Sequence, residues 1–335
     1  MRSHTVPRNL LDQFAFDDLV TRSRRLWTYK KGVPPYTSSP RSATRREGHF
    51  ADPRDAAKEK ELEERLTREI EEPVNEFLEL IKYSTFVLLP DHKRRLARYI
   101  TLLFHRSRAR LGATQHQLDK MLGSMEALLA NDEQLQAIAD KTTIDLLAAG
   151  VPLERNATKE EIARILRRTI EQHKADDQLR HNYAKTVERM LSFEDVNLLN
   201  GDWIIVRTEP ENPFAVGDAP VVTWERTDRN TLMFGQGFAR PNVEVFLPVA
   251  PAACLYVLPK VERTRAVAPP HAEEINMAEA SFATQHCFTN VNSAELDRVL
   301  QAQFSKTRLG VNAFTLNHWD FSNTMFEILM NQRGV

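Results

Sequence analysis

Three side chains far apart in the chain have the types and settings that chemistry requires. His4 stands in RSHTVPRNLLDQF, shortly before Pro7 and the apolar Leu10, Leu11 and Phe14. Followed by such a run, it belongs to a docked segment. Partly buried and bonded to a carboxylate, it would serve as general acid or base, or simply as an anchor for the N-terminus. Arg106 lies at the margin of the apolar stripe of RYITLLFHRSRA, where a guanidinium is partly buried and needs an acidic or carbonyl partner. Asp218 follows a short apolar stretch in NPFAVGDAPVV. An aspartate at such a turn usually accepts the N–H two residues on, but that residue is Pro220, which has none. Its carboxylate must therefore reach further. It either binds an arginine or substrate, or makes a structural bond across the fold or to the N–H of Val221.

A histidine, a carboxylate and an arginine are the parts of a hydrolytic or phosphate-directed site. His4 would move a proton, Asp218 would orient it or bind a metal, and Arg106 would stabilise negative charge. Arg8, Arg98 and His105 are the accompanying binding candidates. Helical geometry puts Arg94, Arg98, His105 and Arg108 on one face, opposite Leu96, Ile100 and Leu103. Such a face either holds phosphate oxygens or is simply solvated. The cofactor is left open: a divalent metal would need at least one more ligand, and the histidines show no zinc-site spacing. GQGFAR lacks the third glycine of a dinucleotide fingerprint, and no P-loop, HExxH or GxSxG occurs. The acidic run KEKELEERLTREIEEP reads as a solvated helix face with pairs such as Glu64 and Arg68. Trp203 and Trp224 read as core residues.

The elements that must position these groups change character near residue 200. RRLWTYKK reads as a strand, and the segment that follows is rich in turn residues. Leu62, Leu66, Ile70, Val74, Phe77 and Ile81 recur at helical spacing, with Pro73 required to kink or divide that helix. Further helices are expected from 90 to 192, one of them opened by a capping box of Thr158 and Glu161. Beyond residue 200, WIIVRT, FAVG, VVTWE, TLMFG, VEVFLPV and CLYVLP read as strands, and SAELDRVLQAQFS as a last helix. The expected fold is α+β: a helical N-terminal half packed on a mixed or antiparallel C-terminal sheet that the N-terminal strand is free to join. Expected divisions are 1–53, an N-terminal strand and extended segment packing on the C-terminal lobe; 54–199, a helical lobe; and 200–335, a β-rich lobe with a C-terminal helix, the three being either separate or parts of one integrated domain.

A formal net charge of −1 removes any global pull towards nucleic acid or anionic membrane. The two cysteines, Cys254 and Cys287, have no CxxC spacing, which points to a reducing compartment. The N-terminus lacks an apolar signal core and no run approaches a membrane span, so a cytoplasmic protein with no membrane contact is expected.

Seven segments recur together in one order: HTVPRNLLDQF, LWTYKK, SPRSATRREGHF, RYITLLFHRSRA, WIIVRT, NPFAVGDAPVV and VFLPVAP. In this the chain resembles domain-of-unknown-function family 4238 over nearly its whole length. The resemblance implies a His-x-Val-Pro opening, a central helix ending near an arginine and an Asp-x-Pro strand end. These fall on His4, Pro7, Arg106, Asp218 and Pro220. Thr5 stands where the family commonly has an aromatic, and Gly217 and Ala219 where it has Ser and Asn. The family carries no activity with it. Three readings follow: an intracellular hydrolase of nuclease or phosphoesterase type; a non-catalytic ligand- or partner-binding protein in which the same residues form a structural polar network; and an RNA- or DNA-binding module using local basic faces, against which the net charge counts.

Overall fold

The apolar run VEVFLPVA becomes a strand with every residue buried, and much of the fold is arranged to cover its two faces. The structure, a computed structural model, describes residues 2–47, 56–83, 85–148, 157–174, 176–226, 232–234, 237–240, 242–258 and 269–304. The Arg108 side chain, Gly235 and Gln236 of the GQGFAR segment and the boundary expected at residue 53 lie outside them.

The chain begins with β1 (Arg2–His4), α1 (Arg8–Gln13), β2 (Phe16–Asp18), β3 (Ser23–Lys30), β4 (Val33–Ser38), α2 (Pro40–Ala43) and β5 (Arg45–Glu47). Helices follow: α3 (Ala56–Leu66), a π-helical turn (Thr67–Glu71), α4 (Glu72–Ile81), α5 (Pro90–Arg106), α6 (Arg108–Leu129), α7 (Asp132–Ala148), α8 (Lys159–Lys174), α9 (Asp176–Arg189) and α10 (Val196–Leu199). Then come β6 (Asp202–Arg207), β7 (Val216–Gly217), β8 (Val222–Arg226), β9 (Leu232–Phe234), β10 (Val243–Ala250) and β11 (Ala253–Leu258). The described part closes with α11 (Ala272–Phe282), β12 (His286–Thr289) and α12 (Ala294–Gln303). This is the α+β plan, and the strand pairings are antiparallel.

The described residues form two compact units, one from residues up to 113 and from 180 to 304, the other within 114–179. In the first, β6, β11, β10, β8 and β9 make one sheet, in that order. On one side Val243, Val245, Leu247 and Val249 pack with Leu10 of α1, Phe14 just past its end, Val74 of α4 and Leu103 of α5. On the other, Phe246, Cys254 and Tyr256 pack with Ile275, Ala278 and Phe282 of α11. A second sheet runs β2, β3, β12, β7, with β4 on β3. Ala280 and Ala283 pack there with Tyr29, Cys287 and Leu300. Helix α11 is thus covered from both sheets, which is why it reads as no amphipathic helix in the sequence.

β3 does join the C-terminal strands, with Trp27 opposite Thr289 and Tyr29 opposite Cys287. The first residues take another course: β1 pairs with β5, His4 opposite Arg45. Pro73 divides its helix through the π turn. The Glu72 N–H bonds to the Thr67 carbonyl five residues back, and α4 starts with the proline in its first turn. The added residue turns both Ile70 and Glu71 inward. In the second unit Leu122, Met125, Leu135, Leu146, Ile162 and Leu166 form a separate core, and the Glu161 N–H donates to Thr158 Oγ1 at 3.2 Å.

Candidate functional site

Arg106 ends α5 with its side chain 1% exposed. Its Nε donates to the His4 carbonyl at 3.0 Å, and Nη2 donates to the same oxygen. Nη1 donates to Glu71 Oε1, and Nη2 also approaches Glu63 Oε2 at 3.5 Å. Burial works against the guanidinium charge, but Glu71 and Glu63 outweigh it and hold its pKa above the ordinary value. Around this centre the Asn9 amide donates to the Glu71 carbonyl at 3.2 Å, and the Tyr99 hydroxyl donates to Asn9 Oδ1 at 3.3 Å. Burial pushes the Tyr99 and Tyr183 hydroxyls well up. It also raises the Glu63 carboxyl, against the pull of Arg106.

Glu59 and Glu71 are buried, so the acidic run is not the solvated face its composition suggests. The signal lay in spacing: Glu59 and Glu63 flank the stripe of Leu62, Leu66 and Ile70, and an arginine on another apolar margin needs such partners. Glu71 was hidden, because only the π turn brings it inward.

Asp218 is a second centre. Its Oδ1 accepts the Thr284 N–H at 2.6 Å. Its Oδ2 accepts the Thr284 hydroxyl at 2.7 Å, the Gln285 N–H at 3.0 Å and the His286 N–H at 3.3 Å. The Asp218 N–H donates back to the His286 carbonyl at 2.9 Å. The carboxylate does reach across the fold, as Pro220 requires, and none of these bonds goes to His4 or Arg106. The histidine beside it is His286, whose Nδ1 lies 3.7 Å from Oδ2. Arg106 meets His4 through the backbone oxygen. Of the three candidates, then, these bonds link two and leave Asp218 in a centre of its own.

The accompanying candidates are dispersed. Arg8 pairs with Asp12 at 3.3 Å, one turn along α1. Arg98 donates to the Leu191 carbonyl. His105 is half-buried rather than on an open basic face: burial, then Arg110, pulls its pKa down to about 4. Trp224 is core, and Trp203 donates to the Leu198 carbonyl at 3.0 Å. Among the described residues no group of three or more His, Cys, Asp or Glu is arranged to hold a metal, and no helix is long and apolar enough to cross a membrane.

A cavity of about 480 Å³ opens beside the first turns of α11 and α12. Its walls include Arg207, Thr208, Asn212, His271, Asn276 and Leu296.

Fold and centres together define an α+β protein in which the buried Arg106 and Asp218 cross-link segments distant in the chain. The chain belongs to the protein family of unknown function DUF4238, whose profile matches residues 2–293. No curated protein and no solved structure matches it.

Proposed function

We propose that this protein binds a small ligand or a partner without catalysis, and that the Arg106 and Asp218 centres are structural. The observation that carries the reading is the commitment of Arg106. Nε, Nη1 and Nη2 all have protein acceptors, and the side chain has almost no surface at which to meet a substrate. Asp218 supports it, with both carboxylate oxygens engaged by residues 284–286. The cavity offers room for a small molecule, its volume lying within the roughly 300–1,000 Å³ usual for ligand pockets.

Thermal unfolding of two variants tests this. Arg106→Met leaves Glu71 and Glu63 buried without their cation and should cost about 3–5 kcal/mol. At about 2–4 °C per kcal/mol the fall in midpoint is easily read. His4→Gln keeps the backbone oxygen that Arg106 holds and should cost much less. A catalytic pair predicts another pattern: midpoints unchanged or raised in both variants, and loss of a phosphodiester-cleaving activity that the unmodified protein possesses.

A further inference from the structure

Three buried polar side chains hold α11. Asn276, 4% exposed, accepts the Ala215 N–H at 2.8 Å and donates to the Pro213 carbonyl at 2.9 Å. Asp218 grips the residues just past the helix end. Between them stands Glu279, fully buried, its Oε2 accepting the Gly217 N–H at 2.7 Å. A Cβ at position 217 would lie 3.0 Å from that oxygen and 3.1 Å from the Glu279 carbonyl, so glycine is what lets helix and strand come this close.

The other carboxyl oxygen, Oε1, is buried with no hydrogen-bond partner, and among the described residues no cation pairs with Glu279. A carboxylate so placed is strongly disfavoured, and the neutral acid is the less costly form to bury. The titratable groups that face it are no help to a charge. Asp218 approaches from the end of β7, with His286 against it, Cys254 from β11 and Cys287 from β12. Burial first, then Asp218, holds the carboxyl well above the usual range, and burial, then Glu279, does the same to both thiols. From α12, Glu295 and Arg298 pair with each other at an exposed position.

We infer that Glu279 is a proton-dependent latch between α11 and β7: the neutral carboxyl holds the helix on the Gly217 backbone, and loss of its proton to solvent releases the helix together with the Asn276 wall of the cavity. This rests on geometry that stands whether or not the cavity binds a ligand, so it fails separately from the reading above.

Hydrogen exchange of the Gly217 amide in the full chain tests it between pH 6.5 and 8.5, corrected for the intrinsic rate. An opening that ionises Glu279 rises with pH, by up to tenfold per unit while the closed form keeps its proton. Glu279→Gln keeps an acceptor for Gly217 and cannot ionise, so its opening should be flat. A slope shared by both proteins overturns the latch, as does a flat response in the unmodified one. Should the variant not fold, the Val245 amide in β10 is the control. A slope at Gly217 but not Val245 supports the latch, and equal slopes overturn it.

Discussion

A guanidinium taken out of water must find acceptors, and Arg106 finds them in a backbone carbonyl and two glutamates that lie 35 and 43 residues before it. His105, its neighbour, meets the opposite condition. With burial and Arg110 against its charge, it titrates near 4 in the folded protein and near 6.5 unfolded. The stability it supports is fully present above pH 6.5 and is lost as pH falls through 4. The loss amounts to about 3 kcal/mol at most, since each tenfold change in proton affinity is worth about 1.4 kcal/mol. His105→Gln should flatten this acid limb. Melting at pH 7 and pH 4.5 would show a smaller fall in the variant than in the unmodified protein, and equal falls would remove His105 as the cause.

Elements here end where a side chain from elsewhere accepts the end. The last carbonyls of a helix have no partner within it. At the end of α4 the Arg207 guanidinium, from β6, donates to the carbonyls of Ile81, Lys82 and Tyr83 at 2.8, 3.0 and 2.5 Å. This ties helix to sheet edge. Arg207→Met should cost about 1–2 kcal/mol, read as a lower urea midpoint with unchanged slope. At the start of α10, Asp195 accepts the N–H groups of Asn197 and Leu198. Its loss should cost about 1 kcal/mol, the usual effect of removing a cap, and should leave the α4 end untouched.

At the scale of the molecule, long-range polar links set the order of layers. Asp218 joins the end of β7 to the turn that leads from α11 into β12, so it fixes the helix that both sheets cover. Asp218→Asn leaves amide donors of residues 284–286 poorly matched and should cost about 2–3 kcal/mol. The damage should be local to the second sheet: amides of β12 and β7 should lose exchange protection before those of β10. Uniform loss would mean that Asp218 serves the whole unit alike.

Periodicity and local chemistry determined a good part of this. The amphipathic stripe from Leu62 to Ile81, the break at Pro73, the short β-branched strands after residue 200 and the pairing of an N-terminal strand with them were legible, because each depends on neighbours in sequence or on one buried face. The need of Arg106 for an acidic or carbonyl partner, and of Asp218 for distant donors, was legible too, since it follows from desolvation and from a missing proline N–H. Which partners answer those needs was decided only in three dimensions. The π turn rotates Glu71 inward, β1 turns to β5 and offers its carbonyl to Arg106, and α11 hides between two sheets without a polar face to betray it. Burial on all sides erases periodicity, and a hydrogen bond between distant residues leaves no spacing to read.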